Sequence, residues 1–82
     1  MKSTIAKKTT IINCMLENQE RTLSIKYYED SGKIIQIEGD YYLKEIANKT
    51  DYDDNGYVLV EKIEKYLDEN DVMHSRFETT NK

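Results

Sequence analysis

Residues 9–38 read TTIINCMLENQERTLSIKYYEDSGKIIQIE, and the fold class turns on them. Thr9 to Glu17 is rich in β-branched residues and predicts a strand, with Ile12, Cys14 and Leu16 on one face and Ile11, Asn13 and Met15 on the other. Asn18, Gln19, Glu20 and Arg21 make a polar connection of hairpin length. Thr22 to Glu29 alternates: Leu23, Ile25 and Tyr27 face one way, and Thr22, Ser24, Lys26 and Tyr28 the other. Asp30-Ser31-Gly32-Lys33 is a turn with a glycine free to take a positive φ. Ile34 to Glu38 follows as a third strand, with Ile35 and Ile37 inward. Connections this short join neighbouring antiparallel strands, so the stretch predicts a β-meander.

Beyond it the apolar period changes from two to about 3.6. Asp40 can cap a helix that starts at Tyr41, places Leu43, Ile46 and Ala47 on one side, and ends near Lys49. Residues 51–56, DYDDNG, form a polar turn. A second helix runs from about Leu59 to Asn70, with Leu59, Ile63, Tyr66 and Leu67 as its apolar stripe, widened by Val60. Glu61, Glu64 and Asp68 fall on its opposite side. The prediction is an α+β domain: a three-stranded antiparallel β-meander followed by two helices packed on one face. Its expected core is Leu23, Ile25, Ile35, Ile37, Leu43, Ile46, Ile63 and Leu67. Residues 1–8 are expected to be a flexible arm, 9–77 a single domain, and 78–82 a frayed end. The second sheet face, with Thr22, Ser24, Lys26, Tyr28 and Gln36, is left half-polar and open to contact.

The chain has 82 residues, 38% hydrophobic and 34% charged, with one cysteine and no proline or tryptophan. A domain of this size buries only about 60% of the surface its unfolded chain exposes, so the core is thin. One cysteine, Cys14, cannot form an internal disulfide, which fits a reducing cytoplasm. No apolar run nears the roughly 20 residues of a membrane span, and no secretory signal pattern is present. No membrane partner is expected.

Charge is unevenly placed. From Glu38 to Asp71 stand eleven acidic residues against Lys44, Lys49, Lys62 and Lys65, while residues 1–28 are net basic. Such an acidic half favours a basic protein surface and repels phosphate, so direct nucleic-acid binding is not expected. The expected partner-binding residues are Asp51, Tyr52, Asp53, Asp54, Tyr57, Glu61, Glu64 and Asp68: carboxylates for steering and tyrosines as anchors. On one helix face, Glu61 to Asp68 spans about 10 Å at 1.5 Å per residue. That approaches the charge spacing of a phosphate backbone.

Catalysis finds little support. There is no phosphate-binding glycine loop, nucleophile elbow or dinucleotide fingerprint. Cys14 and His74 are the only nucleophile–base pair of their kind, and Cys14 alternates with Ile12 and Leu16 as a small core hydrophobe would. The chain reads as a non-enzyme with no cofactor and no assigned metal.

Two alternatives stay open. Asp51, Asp53, Asn55, Gly56 and Val58 fall at positions 1, 3, 5, 6 and 8 of an EF-hand calcium loop. Position 12 is Lys62 instead of a bidentate glutamate, and Glu61 sits one place early. Asp51, Asp53, Asn55 and Glu61 are thus the weak metal candidates. The second alternative is a small winged-helix-like regulator built on residues 55–63, although the helix there is acidic.

In size, charge and element order, the chain resembles the small acidic inhibitors that phages and mobile elements deploy against nucleic-acid-binding defence enzymes, the anti-CRISPR proteins among them. One such architecture sets a three-stranded antiparallel sheet beside helices, with acidic residues filling a DNA-binding cleft. The resemblance carries no shared motif and assigns no residue. It implies an inhibitor or adaptor docked on a basic surface of a partner such as a host defence nuclease.

Overall fold

A computed structural model describes residues 5–81. The elements are β1 (Lys7–Leu16), β2 (Gln19–Tyr28), β3 (Ile34–Gly39), α1 (Tyr41–Asn48), α2 (Gly56–Glu69) and β4 (His74–Asn81). The fold is α+β. Its antiparallel sheet has four strands in the order β3-β2-β1-β4, one more than the meander expected from the sequence. The added strand is β4, which pairs with β1 from Cys14↔His74 to Lys7↔Asn81. Residues 78–81, expected to fray, are part of it. Of the expected arm, residues 7 and 8 belong to β1, and residues 1–4 lie outside the described residues, as does Lys82.

The β1–β2 hairpin turns in two residues instead of the expected four. Glu17 and Asn18 both hold positive φ, 54° and 61°, the signature of a type I′ turn whose twist matches the strands. Leu16 therefore faces Gln19, and Arg21 enters the ladder opposite Cys14. The inward side chains of these strands are Thr10, Ile12 and Cys14 on β1 and Arg21, Leu23, Ile25 and Tyr27 on β2, all buried.

On β3 the sequence pattern misleads. The register shifts between Lys26 and Tyr27, so that Ile34 faces Tyr27 and Gln36 faces Lys26. A bulge of this kind inserts one residue and reverses the side-chain alternation across it. Ile34 packs on the core and Ile35, an expected core residue, is 41% exposed. Ile37 and Ile46 are only partly buried.

Both helices lie on the inward face. Asp40 caps α1 as expected, its carboxylate accepting from the N–H groups of Tyr42 and Leu43. Helix α2 starts three residues earlier than the apolar stripe suggests, because Asn55 caps it through Tyr57 and Val58. Gly56 opens the helix hard against the Tyr27 ring, where an added Cβ would lie 2.3 Å from the ring carbons. Leu43, Ala47, Leu59, Val60, Ile63 and Leu67 close the core over Ile12, Leu23, Ile25 and Tyr27.

Ile63 is fully buried at the centre of this cluster. Ile63→Ala removes buried methylenes from a thin core and should cost about 2–5 kcal/mol. A thermal melt reads it as a large drop in midpoint; an unchanged midpoint would contradict the packing described.

Candidate functional site

Two acidic segments meet at one end of the molecule. The β2–β3 turn and the loop before α2 are tied by an isolated bridge between Lys33 and Asn55. Gly56 N–H donates to the Gly32 carbonyl at 2.7 Å, and Ile34 N–H to the Asp54 carbonyl at 3.2 Å. The Tyr57 hydroxyl donates to the Glu29 carbonyl at 2.6 Å. The tie sets the turn that carries Glu29 and Asp30 against the loop that carries Asp53 and Asp54; Asp51 begins that loop, and Glu61 lies one turn beyond Tyr57 in α2. All six carboxylate residues are exposed, and none makes an ion pair among the described residues. Lys33 and Lys62 lie within this end, the Lys62 ammonium donating to the Asp51 carbonyl, and Lys7, opposite Tyr28, and Lys8, over the Tyr57 ring, border it.

Of the eight residues expected to bind a partner, Asp51, Asp53, Asp54 and Glu61 are thus gathered and open. The other four have structural partners. Tyr52 is half-buried against the core. Tyr57 packs edge-on to Tyr27 at 4.9 Å between ring centroids, with the Lys8 ammonium 5.1 Å from its own centroid. Glu64, only 16% exposed at its side chain, binds the guanidinium of Arg76 on β4. Asp68 accepts from His74 at 2.6 Å. Glu64 and Asp68 fasten α2 to β4, Glu64 with its side chain largely covered and Asp68 with its side chain still open to solvent. Glu29 and Asp30 were missed for the opposite reason: only tertiary contact puts them next to residues 51–54.

The loop geometry does not follow the calcium-loop pattern. Helix α2 already begins at Gly56, the position that should supply the loop's sharp bend. The left-handed residues of the loop are Asp53 and Asp54, each at φ 52°. The Asn55 oxygen accepts from two helical N–H groups, so it is committed to the cap. No group of three or more His, Cys, Asp or Glu residues among those described is placed to hold a metal ion.

Cys14 and His74 are cross-strand neighbours, which their sequence separation hides. Burial pushes the Cys14 thiol up, Asp40 adds to the rise, and Arg21 offsets part of it. A buried, protonated thiol is a poor nucleophile, and the His74 Nε2 is engaged by Asp68.

A second polar centre holds the hairpin to α1. Arg21, 9% exposed, donates to Asp40 at 2.9 Å, to the Leu16 carbonyl, and to Gln19 and Glu17, and its guanidinium lies 4.4 Å from the Tyr42 ring centroid. Burial alone would raise the Asp40 carboxyl; the Arg21 hydrogen bond and the Tyr42 and Leu43 N–H groups outweigh it and hold it below its ordinary 3.8. On the opposite side, the bond from Arg76, then that from Lys8, holds the Glu78 carboxyl low. No protein-family profile, curated protein or solved structure matches this chain.

Two outcomes are expected. Calcium titration by calorimetry should show nothing stronger than about millimolar, the weak end of EF-hand affinity; a micromolar constant abolished by Asp51→Ala would contradict the loop geometry. Asp40 has a depressed folded-state pKa, so its stabilisation is complete above pH 3.8 and is lost as pH falls through the lower folded value. Asp40→Asn keeps a capping oxygen but removes the nearer of Arg21's two carboxylates, leaving only the longer and more exposed contact to Glu17. It should cost about 2 kcal/mol at neutral pH, and the difference from wild type should shrink in denaturant melts carried below that pH.

Proposed function

We propose that this chain is a small acidic inhibitor or adaptor that docks its loop end on a basic surface of a partner protein, such as a nucleic-acid-binding defence nuclease. The observation that carries the reading is the convergence of Glu29, Asp30, Asp51, Asp53, Asp54 and Glu61, exposed and without ion pairs among the described residues. Carboxylates tied up in internal pairs contribute little to a partner, whereas a group of open ones steers a basic surface by long-range attraction. The anti-CRISPR-like resemblance belongs to the same reading, with the acidic end standing in for phosphates in a cleft. The role is non-catalytic and cytoplasmic, and Cys14 as a lone buried thiol is in keeping with a reducing compartment. No membrane and no nucleic acid is a partner in this reading, and no helix among the described residues is long and apolar enough to cross a membrane.

The test is capture on immobilised protein followed by elution with duplex DNA. A partner held through its own nucleic-acid site should be released by DNA and by salt, since exposed charges are screened beyond about 8 Å at physiological ionic strength. Reversing Asp30, Asp53, Asp54 and Glu61 to lysine should weaken binding by more than about 100-fold, mainly through the on-rate. The protein should stay folded with a modest drop in melt midpoint: these side chains make no ion pair among the described residues, and the cost is that of lysine at the positive-φ positions 53 and 54. Glu64 and Asp68 are left out of this variant because reversing them would break the α2–β4 links. Capture of the same partner at wild-type affinity by the reversed protein would sink the proposal.

A further inference from the structure

The two edges of the sheet are guarded very differently. β3 is six residues long, its ladder to β2 is broken by the register shift, and the Lys33–Asn55 bridge closes its approach. β4 is eight residues long, follows β1 in unbroken register, and carries neither proline nor lysine. Every one of its residues after His74 is exposed. Bulges, prolines, lysines and inward-pointing charges are the usual protections of an edge strand; β4 has none of the first three, and its inward charges, Arg76 and Glu78, are paired with each other, with Glu64 and with Lys8.

The register states which of its backbone groups are unpaired. The two-residue turn makes Leu16 and Gln19 a hydrogen-bonded pair, so even-numbered residues of β1 direct their N–H and C=O at β2 and odd-numbered ones at β4. The Met15 N–H donating to the Met73 carbonyl at 3.1 Å agrees. On β4 the odd residues therefore satisfy β1, and His74, Arg76, Glu78 and Thr80 present their N–H and C=O groups at the free edge.

We infer that this edge pairs with the β4 of a second copy of the chain, antiparallel about a two-fold axis at Phe77. In that register Arg76 faces Glu78 of the other copy, Glu78 faces its Arg76, and His74 faces Thr80, each as a hydrogen-bonded pair. Arg76 and Glu78 already bind each other within one chain, so the two copies form a square of alternating charges. Phe77, 58% exposed on the sheet face away from the helices, meets its symmetry mate in a non-hydrogen-bonded pair, where side chains approach most closely. The registers one step to either side set Arg76 against Arg76 or Glu78 against Glu78, which is repulsive. The strand is thus complementary to itself in one alignment. The product is a continuous eight-stranded sheet with both pairs of helices on one face, and the acidic loop ends stay outside the contact.

The test is the mass of the full chain by sedimentation equilibrium, from about 1 μM to about 1 mM. A mass rising to twice the 9.7 kDa of the chain is expected. Phe77→Lys, at an exposed site, should stay at monomer mass over the whole range with the far-UV spectrum and melt of a folded protein. Register is read by oxidation. Phe77→Cys should give a disulfide-linked dimer, because a non-hydrogen-bonded pair holds its Cα atoms about 4.5 Å apart, within disulfide reach. Thr79→Cys should not, because its mate is Ser75 and the two cysteines would lie about 13 Å apart. A wild-type mass that stays monomeric would overturn the inference, and so would a dimer that survives Phe77→Lys or cross-links through Thr79→Cys instead of Phe77→Cys. An edge taken by an extended segment of another protein would give the first of these results.

Discussion

The junction between the Tyr27 ring and the start of α2 is the constraint on which the rest depends. Tyr27 is 1% exposed, its hydroxyl shares a 2.7 Å hydrogen bond with Thr10, and its ring fills the space a side chain at position 56 would need. Only glycine lets the helix start there, and starting there lets Gly56 N–H reach the Gly32 carbonyl. That bond carries the β2–β3 turn against the loop 51–55. Local chemistry (a cap at Asn55, left-handed aspartates at 53 and 54) thereby becomes a tertiary arrangement in which two acidic segments share one surface.

The charges divide into two populations by the same logic. Arg21–Asp40, Arg76–Glu64 and Lys8–Glu78 join elements to one another, Arg76–Glu78 lies within β4, and the His74–Asp68 hydrogen bond adds a further link from β4 to α2. Several are partly buried, where losing one partner would strand the other. The acidic end has no such obligations. A thin-cored chain of 82 residues gains by fastening its sheet edge to its helix with ion pairs, and what remains unpaired is concentrated where the loops meet.

Much of this was legible in the sequence. Alternation in β1 and β2, the Asp40 cap and the α2 stripe are local signals, and five of the expected core residues, Leu23, Ile25, Leu43, Ile63 and Leu67, are fully buried. β4 was not legible, because its inward positions are His74, Arg76, Glu78 and Thr80, polar side chains that show no apolar period, the first three held by ion pairs or hydrogen bonds. The swap of Ile34 for Ile35 comes from a bulge that no residue preference announces. At the candidate site, Asp51, Asp53, Asp54 and Glu61 were readable from charge alone. Glu64 and Asp68 looked the same in sequence and are engaged by β4, a strand the periodicity could not show.

Native-state hydrogen exchange of the Gly56 and Ile34 amides tests the junction most directly, because these are the donors that bind the two acidic segments together. The structure predicts that both exchange as slowly as Leu23 and Ile25 in the sheet, opening only with global unfolding. Exchange near the unprotected rate at Gly56 and Ile34, with the strands still protected, would mean that the loops move independently and that the shared acidic surface does not persist.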